Sequence, residues 1–251
     1  MTNTRTVFAL SACLWLTIGT AEADFIGLNI GTLTGQAPPT YINGNSNSID
    51  LVDDLNVENS PQTSMVLILE HPIAALPNVR YQGYTLDSSN NLLVNPGLSK
   101  IDEASNSGTL ATTTFNLNHE DIVLYYQLLN NWVDLDMGVD LKRFDGQVSQ
   151  AGTTGNGINV DETIPLLYLS ARFALPVNGL YLGANINSSI IDVGLSNSTA
   201  QDSTITLGYE SGSGLGIEGG IKSFSVELND SEDLNTSLEY DGLFVNGYFN
   251  F

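Results

Sequence analysis

The sequence predicts an all-β fold, a closed antiparallel barrel of about ten strands (roughly eight to twelve) that crosses a membrane. Three observations carry that expectation. Segments of roughly ten residues alternate apolar and polar side chains with period two, as strands with two unlike faces do. Between them, short turns alternate with long polar loops. The chain also ends inside such a segment: in GLFVNGYFNF (Gly242 to Phe251), Leu243, Val245, Gly247, Phe249 and Phe251 share one face, and Phe244, Asn246, Tyr248 and Asn250 the other.

The first element is an export signal. Arg5 supplies a positive start, TVFALSACLWLTIGT an apolar stretch, and AEA (Ala21 to Ala23) a small-x-small cleavage site, so residues 1–23 are expected to be removed between Ala23 and Asp24. The competing reading of LSAC (Leu10 to Cys13) as a lipidation site is weaker, because too little apolar sequence precedes Cys13. Cleavage also removes the single cysteine, so the mature chain, residues 24–251, is expected to fold without a disulfide.

The strands follow in order. Asp24 to Thr34 sets Ile26, Leu28 and Ile30 against Gly27, Asn29 and Gly31. Thr63 to His71, Val79 to Asp87 and Thr113 to Leu129 come next. Trp132 to Lys142 shows the pattern most clearly, with Val133, Leu135, Met137, Val139 and Leu141 opposing Asp134, Asp136, Gly138, Asp140 and Lys142. Leu166 to Leu175, Leu180 to Ile190, Ser203 to Glu210, Leu215 to Leu228 and Ser237 to Phe251 complete the set. The longest apolar runs, such as Met65 to Leu69, fall far short of the ~20 residues of a spanning helix.

Tight connections are expected at His71 to Asn78, Leu129 to Asn131, Pro176 to Gly179 and Ser211 to Gly214. Long polar loops are expected at Gly35 to Gln62, Ser88 to Thr112, Asp145 to Thr163, Ser188 to Asp202 and Asn229 to Thr236. In hydrocarbon an unpaired backbone group costs several kcal/mol, so a sheet survives there only without an edge. The first and last strands are therefore expected to pair, with the terminal aromatics at the lipid interface.

Across 251 residues, 28 Asp plus Glu face 7 Lys plus Arg, a formal net charge of -21. That balance argues against nucleic acid as a partner, since a polyanion is bound by basic residues. With 42% hydrophobic residues and a mean hydropathy of +0.03, the chain is nonetheless too apolar for an acidic disordered protein.

An export signal followed by a final strand ending in Phe251 resembles the outer-membrane β-barrels of Gram-negative bacteria. In those proteins the last strand, here Leu243, Val245, Phe249 and Phe251, is the signal read by the barrel assembly machinery. More narrowly, EHPIAALPNVRY (Glu70 to Tyr81), DIVLYYQLLNNWVDLDMGVDLKRFDG (Asp121 to Gly146) and DGLFVNGYFNF resemble a family of small proteobacterial outer-membrane barrels of uncharacterised function. The resemblance implies outer-membrane lipids and lipopolysaccharide as surroundings, with periplasmic chaperones and the assembly machinery as partners in biogenesis. It brings no catalytic residues with it.

The strand register sends Glu70, Arg80, Asp121, Asp134, Asp136, Asp140, Lys142, Arg172, Glu210, Glu218 and Lys222 into the interior. Charges in a narrow, low-dielectric lumen are tolerated when paired, so the expected arrangement is one salt-bridged polar plug. Its alternative is a narrow, cation-favouring passage along the surplus carboxylates. His119, in NHED beside Glu120 and Asp121, is either a solvated histidine at the rim or the base of a surface hydrolase or lipid-modifying enzyme. His71 falls in a turn at the other end. GLGIEG (Gly214 to Gly219) matches a dinucleotide fingerprint only in letters, because it leads from a turn into a strand. The acidic runs Asp50 to Asp54 with Glu58, and Asn229 to Asn235, could hold divalent cations through oxygen ligands but lack EF-hand spacing. The expectation is a non-enzymatic barrel with no cofactor and no resident metal.

Overall fold

The computed structural model describes residues 26–36, 41–44, 47–50, 62–73, 75–85, 87–93, 110–150, 158–189, 197–230 and 234–250. The cleavage site at Ala23 and Asp24, the terminal Phe251 and most of the Asp50 to Glu58 acidic run lie outside the described residues. The regular elements are strands: β1 (Ile26–Gln36), β2 (Tyr41–Gly44), β3 (Asn47–Asp50), β4 (Gln62–Leu69), β5 (Asn78–Thr85) and β6 (Asp87–Leu93). They continue as β7 (Leu110–Asn130), β8 (Val133–Gln150), β9 (Ile158–Ala174), β10 (Leu180–Ser188), β11 (Thr199–Glu210), β12 (Leu215–Asp230) and β13 (Leu234–Asn250).

All of them pair antiparallel in one sheet, whose main path runs β1-β4-β5-β7-β8-β9-β10-β11-β12-β13. β1 pairs along both edges, with β4 from Ile26 opposite Leu69 to Leu33 opposite Gln62, and with β13 from Gly27 opposite Asn250 to Gln36 opposite Asp241.

Four tight turns gather at one end of the strands. At β4-β5, His71 Nε2 donates to the Pro77 carbonyl at 3.1 Å while Nδ1 accepts from Ile73 N–H at 3.2 Å, so this histidine builds the turn. At β7-β8 the Asn131 side chain accepts from Val133 N–H at 3.2 Å. Gly179 and Gly214 close the other two with φ of 79° and 82°, a region that L side chains rarely occupy. Gly214 thus serves a hairpin that feeds β12.

The strands run further at the opposite end than the alternation indicates. β8 continues to Gln150 and β9 starts at Ile158, so much of the expected Asp145 to Thr163 loop is ladder. β6 lies in the expected Ser88 to Thr112 loop and pairs β7 in the register of β5: Tyr84 opposes His119 and Asp87 opposes Asn116. β2 and β3 form a hairpin inside the expected Gly35 to Gln62 loop. β11 starts at Thr199 rather than Ser203. A backbone ladder needs no apolar face once it leaves the apolar layer, so the strands outlast the period-two signal.

The outward face is apolar. Met137, Val139 and Leu141 of β8 are exposed, as are Leu182 and Ile186 of β10, Ile205 and Leu207 of β11 and Leu243, Val245 and Phe249 of β13. Inward on β8, Asp140 and Lys142 are both 0% exposed. The apolar run spans seven residues on β13 (Leu243 to Phe249) and nine on β8 (Val133 to Leu141). At about 3.3 Å per residue and a tilt near 40°, that is a band roughly 18 to 23 Å tall, close to the ~25 Å of a membrane barrel. Toward the loop end the band stops at polar outward positions, among them Thr85, Glu120, Arg143, Thr163, Ser223 and Asp241.

Candidate functional site

The interior carries the chemistry, in two charged layers with a cavity between them. The layer nearer the loops is assembled by register. Gln82, Asp121 and Lys142 lie side by side across β5, β7 and β8. Asn187 and Asp202 face each other across β10 and β11. Lys142 Nζ donates to both Asp121 oxygens at 2.7 and 2.8 Å and lies 3.8 Å from Asp202 Oδ2. The same Asp202 oxygen takes Lys222 Nζ at 2.8 Å, and Lys222 also donates to Tyr84 Oη at 2.5 Å. Asn187 Nδ2 donates to Asp140 Oδ2 at 2.8 Å. Two lysines and three aspartates are thus joined or adjacent, all buried. Such a group holds only while every partner is present, since the loss of one strands the others away from water.

Rings cover this layer toward the loops. His119 is 5% exposed, stacked 4.7 Å from Tyr84 and 5.3 Å from Phe224, with Phe144 tilted at 5.3 Å. The Lys142 ammonium sits over the Phe224 and Tyr84 rings at 5.4 and 5.7 Å, and Lys222 over Tyr84 at 3.9 Å. The expectation of a solvated rim histidine is therefore corrected. Register explains it: His119 lies opposite inward Tyr84 and inward Phe144, so it shares their face.

The layer nearer the turns is looser. Arg172 Nη2 donates to Glu210 Oε2 at 2.9 Å and its guanidinium lies 3.7 Å over the Tyr181 ring. Glu210 also accepts from Tyr248 and Asn250, at 3.0 and 3.3 Å. Glu218 accepts from Tyr181 Oη at 2.8 Å and Asn246 Nδ2 at 2.9 Å. Glu70 accepts from Tyr125 Oη at 2.6 Å. Arg80 meets neutral groups, Gln82 at 3.0 Å and Tyr168 at 3.5 Å.

The expected single network is accordingly two. Asp121, Asp140, Lys142 and Lys222 come together; Arg172 and Glu210 form a separate pair; Glu70 and Glu218 are held by neutral donors. Among the described residues, Asp134 and Asp136 have no cation within 4.0 Å, although Asp134 lies opposite Arg172 across the ladder. Asp202, the carboxylate shared by both lysines, lies in β11 where the alternation predicts the end of a loop. Counting back from Glu210 in twos would have reached it. Tyr84 and Asn187 were missed as well, and only cross-lumen geometry identifies them. On the outer surface, Arg143 sits between Asp161 at 3.4 Å and Glu120 at 4.0 Å, all three exposed.

Between the layers lies a cavity of about 220 Å³, bounded by Tyr84, Asp202 and Lys222 toward the loops and Arg172, Tyr248 and Asn250 toward the turns. Among the described residues no group of three or more His, Cys, Asp or Glu has the geometry of a metal site.

No family model and no curated protein matches the chain. Among solved structures it is similar to the translocator domain of autotransporter NalP from Neisseria meningitidis, at 13% identity and a TM-score of 0.42, covering 89% of this chain and 88% of that one. It is similar to the toluene transporter TodX of Pseudomonas putida, at 9% identity, TM-score 0.33 and 92% and 90% coverage. A third is the loop-deleted OmpT, an outer membrane protein of Vibrio cholerae, at 10%, 0.31 and 91% and 99%.

Proposed function

We propose that the chain is an integral outer-membrane protein of a Gram-negative bacterium, a closed ten-stranded barrel with its tight turns in the periplasm and its long hairpins outside. Its role is structural and non-enzymatic: it presents an acidic outer surface and keeps its own lumen shut. One contrast carries this reading. Apolar side chains ring the outside over the height of a hydrocarbon layer, while Lys142, Asp121 and Asp140 are buried within. A soluble barrel has the reverse polarity. Pairing of β1 with both β4 and β13 supports closure, because it leaves neither strand with an open edge.

The stacked layer of His119, Tyr84, Phe144 and Phe224, directly over the two lysines, favours a plugged lumen over an ion path. It equally speaks against His119 as the base of a surface hydrolase, since rings occupy the space a substrate would need. The test has two parts. Refolded protein should migrate on a detergent gel as a compact species that heating converts to a slower one, and it should fractionate with outer membranes. In planar bilayers it should give a flat current trace. Recovery in the soluble fraction, or discrete openings of the parent protein, would overturn the first or second half of the proposal respectively.

A further inference from the structure

We propose that the lumen cavity is a binding site for a small solute carrying a carboxylate or phosphate group, with Arg80 as the residue that holds it. This rests on the barrel reading above. Lys142, Arg143, Arg172 and Lys222 each have a carboxylate within 4.0 Å. Among the described residues Arg80 has none, although its side chain lines the cavity. Its terminal nitrogens reach only the Gln82 amide oxygen and the Tyr168 hydroxyl, and its Nε is buried without an acceptor. Asn185 Nδ2, on the same cavity, is likewise buried without one.

The carboxylates of Glu218, Asp136 and Asp202 act on Arg80 only from beyond 4.0 Å, so none of them takes up its half-buried guanidinium directly. The planar guanidinium fork matches the paired oxygens of a carboxylate or phosphate, and hydrogen bonds to such groups are stronger than neutral ones. Asn187 Oδ1 and Asp202 Oδ1, which line the same cavity, lack donors. The oxyanion group is therefore accompanied by a donor, either a hydroxyl or ammonium of the solute or water carried in with it. At about 220 Å³ the cavity accepts a small solute and excludes an oligomer. Entry is from the turn end, because the Phe144 and Phe224 rings close the other side.

The test uses the full mature protein refolded in detergent and titrated calorimetrically with inorganic phosphate and, separately, succinate. At least one should bind one-to-one with a Kd of about 1 mM or tighter, and the difference between them tells phosphate from carboxylate recognition. Arg80→Gln should weaken that binding at least ~10-fold, and Arg80→Lys, which keeps the charge but loses the fork, by less. Arg143→Gln, on the outer surface, should leave it unchanged. Absence of binding by either probe, or equal binding by the parent and both Arg80 variants, overturns the site. Heat-modifiable migration run on each sample reports the barrel independently, so loss of the site and loss of the fold are told apart.

Discussion

The two charged layers of the lumen bury charge in different ways. Near the loops, Lys142 and Lys222 share Asp202, Asp121 is held by both of its oxygens, and rings exclude water. Near the turns, Arg172 is about a third exposed on its side chain and pairs with a single carboxylate that three neutral or cationic donors share. The first is an all-or-none cluster and the second a set of separable contacts. Low dielectric makes the difference: pairs that cannot fall back on water stand or fall together, whereas a partly wet pair loses only what solvent does not replace.

That contrast orders a series of expected losses. Lys142→Met should be worst, because Asp121 and Asp202 remain buried with fewer counter-charges; unfolding in urea from lipid vesicles should show about 3–5 kcal/mol of destabilisation. Loss of the same size in Arg172→Met would erase the distinction between the layers. Met137→Arg, at the centre of the outward band, should cost about 2–4 kcal/mol in the same assay, while Thr163→Arg at the edge of the band should cost ~0–1, which sharpens where the hydrocarbon ends. Arg172→Met should cost about 1 kcal/mol, and Arg143→Met, in the exposed Glu120 and Asp161 pair, at most about 1 and less in high salt. The double change Phe144→Ala with Phe224→Ala should leave the charges in place yet convert a flat bilayer trace to one with measurable openings; a trace that stays flat would place the seal in the charge cluster instead.

Much of the architecture was legible in the sequence because an apolar outward face imposes period two on every strand that carries it. From Trp132 to Lys142 the alternation fixed which residues face in and which face out. Beyond Arg143 it fades: Gln147 and Ser149 on one face and Gly146 and Val148 on the other no longer separate into oily and polar, although the β8 ladder continues to Gln150. The alternation therefore places the loop-side strand ends too early, and leaves Asp202 outside β11. The site was legible residue by residue but not in its grouping. Parity places Asp134 and Asp140 on the same face, yet only the cross-lumen position of Asn187 gives Asp140 its hydrogen bond.

The extended ladder of β7, β8 and β9 has a mechanical consequence. From Arg143 to Gln150 the hairpin adds eight residues beyond the oily band, a rise of roughly 20 Å at the same tilt. A headgroup zone is only ~5–8 Å thick on each side. In the proposed orientation this ribbon is a mast, cross-braced by hydrogen bonds on both sides of β8, that stands beyond the headgroup zone at its foot.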